Sequence, residues 1–230
     1  MSTQLAPPRS RMARFQDLGI RTASATVLIP VTLFGLIVGG WVWAALIAVF
    51  FVGLLREGRA LSRHARPCRR TVFLLCGLAY TGLPGAALLW LRARPGAGLD
   101  DVLFLLLVVW MTDIGAYLVG RLLGGRKLAP TISPGKTVSG ALGGLIIGSL
   151  AGMIFAGSPL GILPAAVLSL VSEAGDLAES AVKRWLGVKD SGHTIPGHGG
   201  LFDRLDGILA AAPVAALLAL IAHGGVPLWR

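Results

Sequence analysis

The sequence predicts an all-α, polytopic integral membrane protein of about seven transmembrane helices with a polar site at one face, and three observations predict it. Hydrophobic residues make up 54% of the chain and charged residues only 14%, against about 25% charged in soluble domains. Mean hydropathy is +0.75. Apolar runs of the length needed to cross the hydrocarbon, about 20 residues as a helix, recur along the chain with basic residues gathered between alternate pairs of them.

The spans are predicted at 24–38, 41–55, 71–91, 101–123, 137–156, 160–182 and 205–224. The first follows a basic segment without a small-residue cleavage site, so it reads as a retained span rather than a signal peptide. Gly39-Gly40 separates it from the second as a tight turn. Charge bias supports two short spans here rather than one tilted helix. With an inside N-terminus, the segments 1–23, 56–70, 121–136 and 183–204 hold 4, 6, 4 and 4 of the 21 Lys and Arg, leaving only Arg92, Arg94 and Arg230 outside, as the positive-inside rule requires. The net charge of +10 is thus a one-face property suited to anionic headgroups and to a polyphosphate. Glycines spaced as Gly140-x-x-Gly143 and Gly144-x-x-x-Gly148 read as close helix packing in lipid, and Cys68 and Cys76 as plain thiols. The chain divides into an N-terminal helical region (1–100, about three spans) and a C-terminal catalytic membrane region (101–230, about four).

Chemistry is concentrated in the second region. Of eleven Asp and Glu, six (Glu173, Asp176, Glu179, Asp190, Asp203 and Asp206) fall between 173 and 206, and Asp113 lies inside the fourth span. Glu173, Asp176 and Glu179 are three apart and share a broad helix face. Ionised groups at membrane depth persist where they pair, face a cavity or bind an ion, so Asp176 and Glu179 are candidate metal ligands, with Glu173 either supporting them or purely structural. Lys183, Arg184, Lys189 and Asp190 follow, then the loop Gly192–Gly200, whose glycines admit a phosphate chain while the cations neutralise it. Asp203 and Asp206, at i and i+3 of the last span, can address the same ion, with Arg204 countering their charge. Carboxylate oxygens without a sulfur or imidazole cluster select Mg²⁺.

The pattern from Ser180 through Lys183-Arg184, Lys189-Asp190, Pro196, His198-Gly199-Gly200 and Asp203-Arg204 to Asp206 resembles the signature of the phosphatidate cytidylyltransferases, or CDP-diacylglycerol synthases. The resemblance extends through Gly175-Asp176-Leu177-x-Glu179-Ser180, Asp113-x-Gly-Ala-Tyr117-x-x-Gly-Arg121 and Ile132-Ser133-Pro134-x-Lys136-Thr137. It covers about 110–213; the first half matches in style only, including an acid at Glu57, and Gly207 stands where relatives carry a small polar residue.

The resemblance implies transfer of a cytidylyl group from CTP to phosphatidate, giving CDP-diacylglycerol and pyrophosphate. It implies Mg²⁺ at Asp176, Glu179, Asp190, Asp203, Asp206 and Asp113, with a monovalent cation such as K⁺ permitted by the surplus of carboxylates. Asp176, Asp203, Asp206, Lys183 and Arg204 would carry catalysis. Ser133, Lys136, Thr137, Lys183, Arg184, Lys189, His198, Gly199 and Gly200 would bind substrate, Lys136 through either the lipid phosphate or the nucleotide. Asp113 is either an outer metal ligand or the partner of Lys136 or Arg121. Membrane lipids surround the expected protein, nucleic acid is no partner, and a homodimer is implied. The expected location is a bacterial inner membrane, multi-pass, with the site toward the cytoplasm. Two other classes stand beside this reading: a CTP-dependent polyprenol kinase, which transfers the γ-phosphate, and a proton or cation transporter, which leaves the basic glycine-rich loop unexplained.

Overall fold

Helix formation here follows from apolar runs that satisfy their own backbone hydrogen bonds where water is absent. The computed structural model describes residues 29–192, 200–222 and 225–230. Six of its helices are long and apolar enough to cross a membrane: α2 (Gly40–Ser62), α3 (Pro67–Arg92), α4 (Gly98–Leu123), α5 (Val138–Ala156), α6 (Ile162–Trp185) and α7 (Phe202–Ile221). The expected first span is described only over its last part, α1 (Ile29–Val38). The predicted polytopic helical class therefore holds with six long helices among the described residues, and α1 is a shorter apolar helix where the first span is expected.

Gly39 and Gly40 have φ of 69° and 51°, a conformation that side chains with a Cβ rarely adopt, and they turn α1 into α2. Arg92 secures the turn from the end of α3. Its Nε donates to the Leu36 carbonyl at 2.7 Å and its Nη2 to the Ile37 carbonyl at 3.2 Å, satisfying C-terminal carbonyls of α1 that have no partner within the helix.

Helix α4 is the central one, packed on α3, α5, α6 and α7. Its contact with α5 is the most extensive in the fold, because glycines face it: Gly140, Gly143, Gly144 and Gly148 are all buried. A Cβ on Gly144 would lie 2.8 Å from the Thr112 carbonyl, and one on Gly143 would overlap Val119. This is the close approach the glycine spacing predicts. Thr112 of α4 also donates to Ser169 Oγ of α6 at 2.8 Å.

At the end of the bundle where α3 leads into α4, Asp101 is fully buried, pairs with Arg94 and accepts the Leu228 N–H at 2.8 Å. Trp229 stacks on Phe104 with centroids 4.7 Å apart. Together these contacts pin the C-terminal tail to the core.

The polar end differs from expectation in one respect. The segment expected as a loop before α5 is a two-stranded antiparallel ribbon, β1 (Lys127–Ala129) and β2 (Ser133–Thr137), with Lys127 opposite Thr137 and Ala129 opposite Ser133. Thr137 ends β2 and caps α5, its Oγ1 accepting the Gly140 N–H at 3.0 Å, so the ribbon is fixed to the helix that follows it.

Candidate active site

The acids of α6 and α7 come together because those helices touch through glycine. Gly175, next to Asp176, leaves no room for a Cβ against Ala210, and Gly207, next to Asp206, leaves none against Ser172. Close backbone approach at these two positions sets Asp176 and Asp206 into one cavity of about 760 Å³. Asp113 and Arg121 of α4, Lys136 and Thr137 of the ribbon, Glu173 of α6, and Asp203 and Arg204 of α7 line it as well. Residues more than ninety positions apart in sequence thus share one polar chamber at the ribbon end of the bundle.

Within it, Lys136 Nζ lies 2.5 Å from Asp176 Oδ2, both groups about one-third exposed. Asp113 shares the cavity with this pair, while Arg121 turns to Tyr117 and donates to its hydroxyl at 2.6 Å. Of the two partners expected for Asp113, Lys136 shares the cavity and acts on it through its charge while its ion pair is with Asp176, and Arg121 donates to Tyr117.

Asp203 and Lys183 do something the sequence did not suggest. Lys183 pairs with Asp203 and stands 3.2 Å from Glu179 Oε1, joining α6 to α7. Asp203 Oδ2 accepts the N–H of Ser191 at 3.0 Å, the hydroxyl of Ser191 at 3.0 Å and the N–H of Gly200 at 2.9 Å. With both oxygens so engaged, Asp203 closes the two ends of the signature loop onto α7. Gly200 also serves this closure: a Cβ there would lie 2.8 Å from Glu57 Oε2 and overlap Ser191 Oγ.

Glu57, which sequence reasoning noted only as a stylistic match, is the residue that completes this arrangement. It is buried near the end of α2 and accepts the Leu201 N–H at 2.7 Å and the Phe202 N–H at 3.1 Å, and it lies 3.2 Å from the Ser191 hydroxyl, whose one proton it shares with Asp203. A carboxylate on unpartnered N–H groups at a helix start satisfies them and favours the positive end of the helix dipole. Its scarcity was the available signal, since it is one of only two acids before residue 100.

Other expected residues take different places. Arg184 donates to the Ile132 carbonyl at 3.1 Å and the Val188 carbonyl at 3.3 Å, tying α6 to the ribbon. Ser133 opens β2. Lys189 and Asp190 are exposed in the loop after α6. His198 and Gly199 lie outside the described residues.

The donor set is compatible with a hard cation. Five carboxylates line the cavity against three cationic side chains, and the buried Glu173 Oε1 accepts no hydrogen bond among the described residues, whereas Glu179 is held by Lys183. The Lys136 ammonium sits on Asp176 where positive charge is needed. Among the described residues no group of three or more His, Cys, Asp and Glu is placed to hold a metal ion by itself.

Residues 68–222 match the model of a family described as the cytidylyltransferase family. This chain belongs to the cytidylyltransferase family. Its membership also appears in individual relatives. A phosphatidate cytidylyltransferase of Brucella suis biovar 1 is 40% identical over 205 residues, 82% of this chain and 76% of that protein. One from Staphylococcus saprophyticus is 40% identical over 191 residues, covering 78% and 72%. In this cytidylyltransferase-family chain, the chamber brings five carboxylates together with Lys136, Arg121 and Arg204.

Proposed function

We propose that this protein transfers the cytidylyl group of CTP to phosphatidate, releasing pyrophosphate and forming CDP-diacylglycerol. The observation that carries the reading is the single cavity in which Asp176 and Asp206 face Lys136 and Arg204 at the end of an apolar bundle. A water-soluble nucleotide and a lipid phosphate can meet only at such a boundary. Relatives named phosphatidate cytidylyltransferase at 40% identity support the substrate pair.

In the proposed reaction a phosphate oxygen of phosphatidate attacks the α-phosphorus of CTP. The new P–O bond forms as the bond to the β-phosphate oxygen breaks, and pyrophosphate leaves with that electron pair. The nucleophile is already anionic, so the protein's task is positioning and charge neutralisation. Lys136 of the ribbon and Arg204 of α7 would hold phosphate oxygens from two different elements lining the cavity, Lys136 exchanging Asp176 for substrate. Asp176 and Asp206 would hold Mg²⁺, with Glu173 and Asp113 behind them. A bound Mg²⁺ supplies neutralisation of the phosphate oxygens and of the departing pyrophosphate. Lys183, Asp203, Ser191 and Glu57 tie Ser191, Gly200 and the first turn of α7 together, so that Asp206 and Arg204 stay fixed on the cavity wall.

The proposal includes a cytoplasmic orientation of the ribbon end, supported by the basic segments at 56–70 and 121–136, and a homodimer. Purified protein in detergent, given α-labelled CTP, phosphatidate and Mg²⁺, is expected to move label into a lipid with equimolar pyrophosphate, and to stop when the divalent ion is chelated. Label in free CDP with phosphate on the lipid would instead identify a kinase.

A further inference from the structure

A second cavity, of about 260 Å³ and almost wholly apolar, runs along α2 between α1, α3, α4 and the start of α7. Trp43 and Leu54 mark its ends on α2, Ile47 and Gly85 its middle, and Arg204 its polar end. Arg204 also lines the acidic cavity, so the two spaces meet at this side chain. On α4 the change is equally abrupt: Trp110 lines the apolar slot and Asp113, one turn on, the polar chamber.

We propose that this slot holds one acyl chain of the lipid substrate, with the lipid phosphate at Arg204. The inference rests on the reading of the protein as a lipid cytidylyltransferase and names where that lipid lies. Three features of the slot carry it. From Trp43 to Leu54 is eleven residues, about 16 Å at 1.5 Å per residue, or half of a hydrocarbon core about 30 Å thick, which is the depth of one leaflet. Two of the donors on its walls are already used internally: Trp43 Nε1 donates to the Leu88 carbonyl at 3.2 Å, and Thr81 Oγ1 to the Gly77 carbonyl at 2.9 Å. Apart from Thr32 near its α1 wall and Arg204, the remaining lining is apolar. Finally, its single charged lining residue is a cation placed at the end that adjoins the phosphate chemistry. A chain threaded here would leave its headgroup at the boundary of the cavity holding Asp176 and Asp206.

The slot is tested by photolabelling the intact protein in detergent with a phosphatidate carrying a diazirine near the end of one palmitoyl chain. Label is expected in peptides spanning 43–54 and 81–88, displaced by unlabelled dipalmitoyl phosphatidate. The same diazirine on phosphatidylcholine is the control: equal labelling of those peptides would mean bulk lipid fills the slot and would overturn the proposal.

Filling the slot gives a second measurement. A Cβ on Gly85 meets Ile47 Cγ2 at an ordinary 3.6 Å, so Gly85→Phe is accepted by the backbone and its ring takes slot volume. Its preference for dipalmitoyl over dihexanoyl phosphatidate, as a ratio of kcat/KM, is expected to fall at least about tenfold, the factor for expelling roughly two methylene groups. Leu75→Phe, on an exposed face of α3, should leave that ratio at the wild-type value. An unchanged ratio in Gly85→Phe would overturn the proposal; if that variant does not fold, the labelling of the wild-type protein decides alone. Wild-type protein that makes CDP-lipid yet labels elsewhere overturns the slot and spares the activity, whereas no CDP-lipid at all removes the activity itself.

Discussion

Removing the carboxylate of Glu57 should loosen the start of α7 and, through it, the catalytic cavity. The side chain is only 4% exposed and accepts two backbone N–H groups of the first turn, Leu201 at 2.7 Å and Phe202 at 3.1 Å, besides the Ser191 hydroxyl. Hydrogen bonds to a charged group are worth about 1.5–3 kcal/mol each, and a buried N–H left open costs about 1–3 kcal/mol. Glu57→Ala opens two such groups, so local stability should fall by about 3–5 kcal/mol. Glu57→Gln keeps one carbonyl acceptor and loses the charge facing the helix dipole, and should cost about 1–2 kcal/mol. Hydrogen exchange read by mass spectrometry on the detergent-solubilised protein measures this directly. Peptides covering 200–206 should exchange faster by about two to four orders of magnitude in Glu57→Ala, with less change in peptides from α5. Turnover should fall alongside, because Asp206 and Arg204 ride on that turn. Exchange within about threefold of wild type would refute the reasoning, since it would mean the N–H groups are held by something other than Glu57.

Three further outcomes follow from the geometry. Asp176→Asn and Asp206→Asn keep shape while removing charge, and each should lower cytidylyl transfer by about a hundredfold or more; turnover near wild type in both would defeat the proposed site. Gly207→Ala places a methyl group on Ser172 Oγ and should cost about 1–3 kcal/mol through overpacking, seen as a lower unfolding temperature in detergent together with reduced activity; a variant as stable as wild type would show that α6 and α7 separate freely there. Asp101→Ala leaves the buried Arg94 unpaired and frees the Leu228 N–H, a loss of about 3–5 kcal/mol. Limited proteolysis should then remove the C-terminal tail faster, and resistance equal to wild type would count against its pinning role.

Length and hydropathy were enough to locate the helices, because a bilayer imposes a minimum apolar run and leaves few other ways to satisfy backbone polar groups. The glycine stripe of α5 was legible for the same reason: only a residue without a Cβ permits the contact it makes with α4. Less legible was the ribbon at 127–137, whose strands are three and five residues long, too short for alternation to be seen. Glu57 was passed over because a carboxylate and the N–H groups it caps, 144 and 145 residues away, leave no local pattern.

By itself, then, the sequence determined the fold class and family, and it singled out candidate residues through the rarity of acids in an apolar chain and the signature from Ser180 to Asp206. Only the tertiary structure decided how they divide the work. Spacing placed Asp203 and Asp206 on one helix face as apparent equals, and both line the cavity with Asp176, yet three hydrogen bonds and the Lys183 pair engage Asp203 with the loop ends at Ser191 and Gly200. The reason is physical: an i, i+3 spacing orients two side chains alike, but what each one meets depends on the neighbouring helix and loop. Gly175 and Gly207 set that approach, and no single segment encodes it.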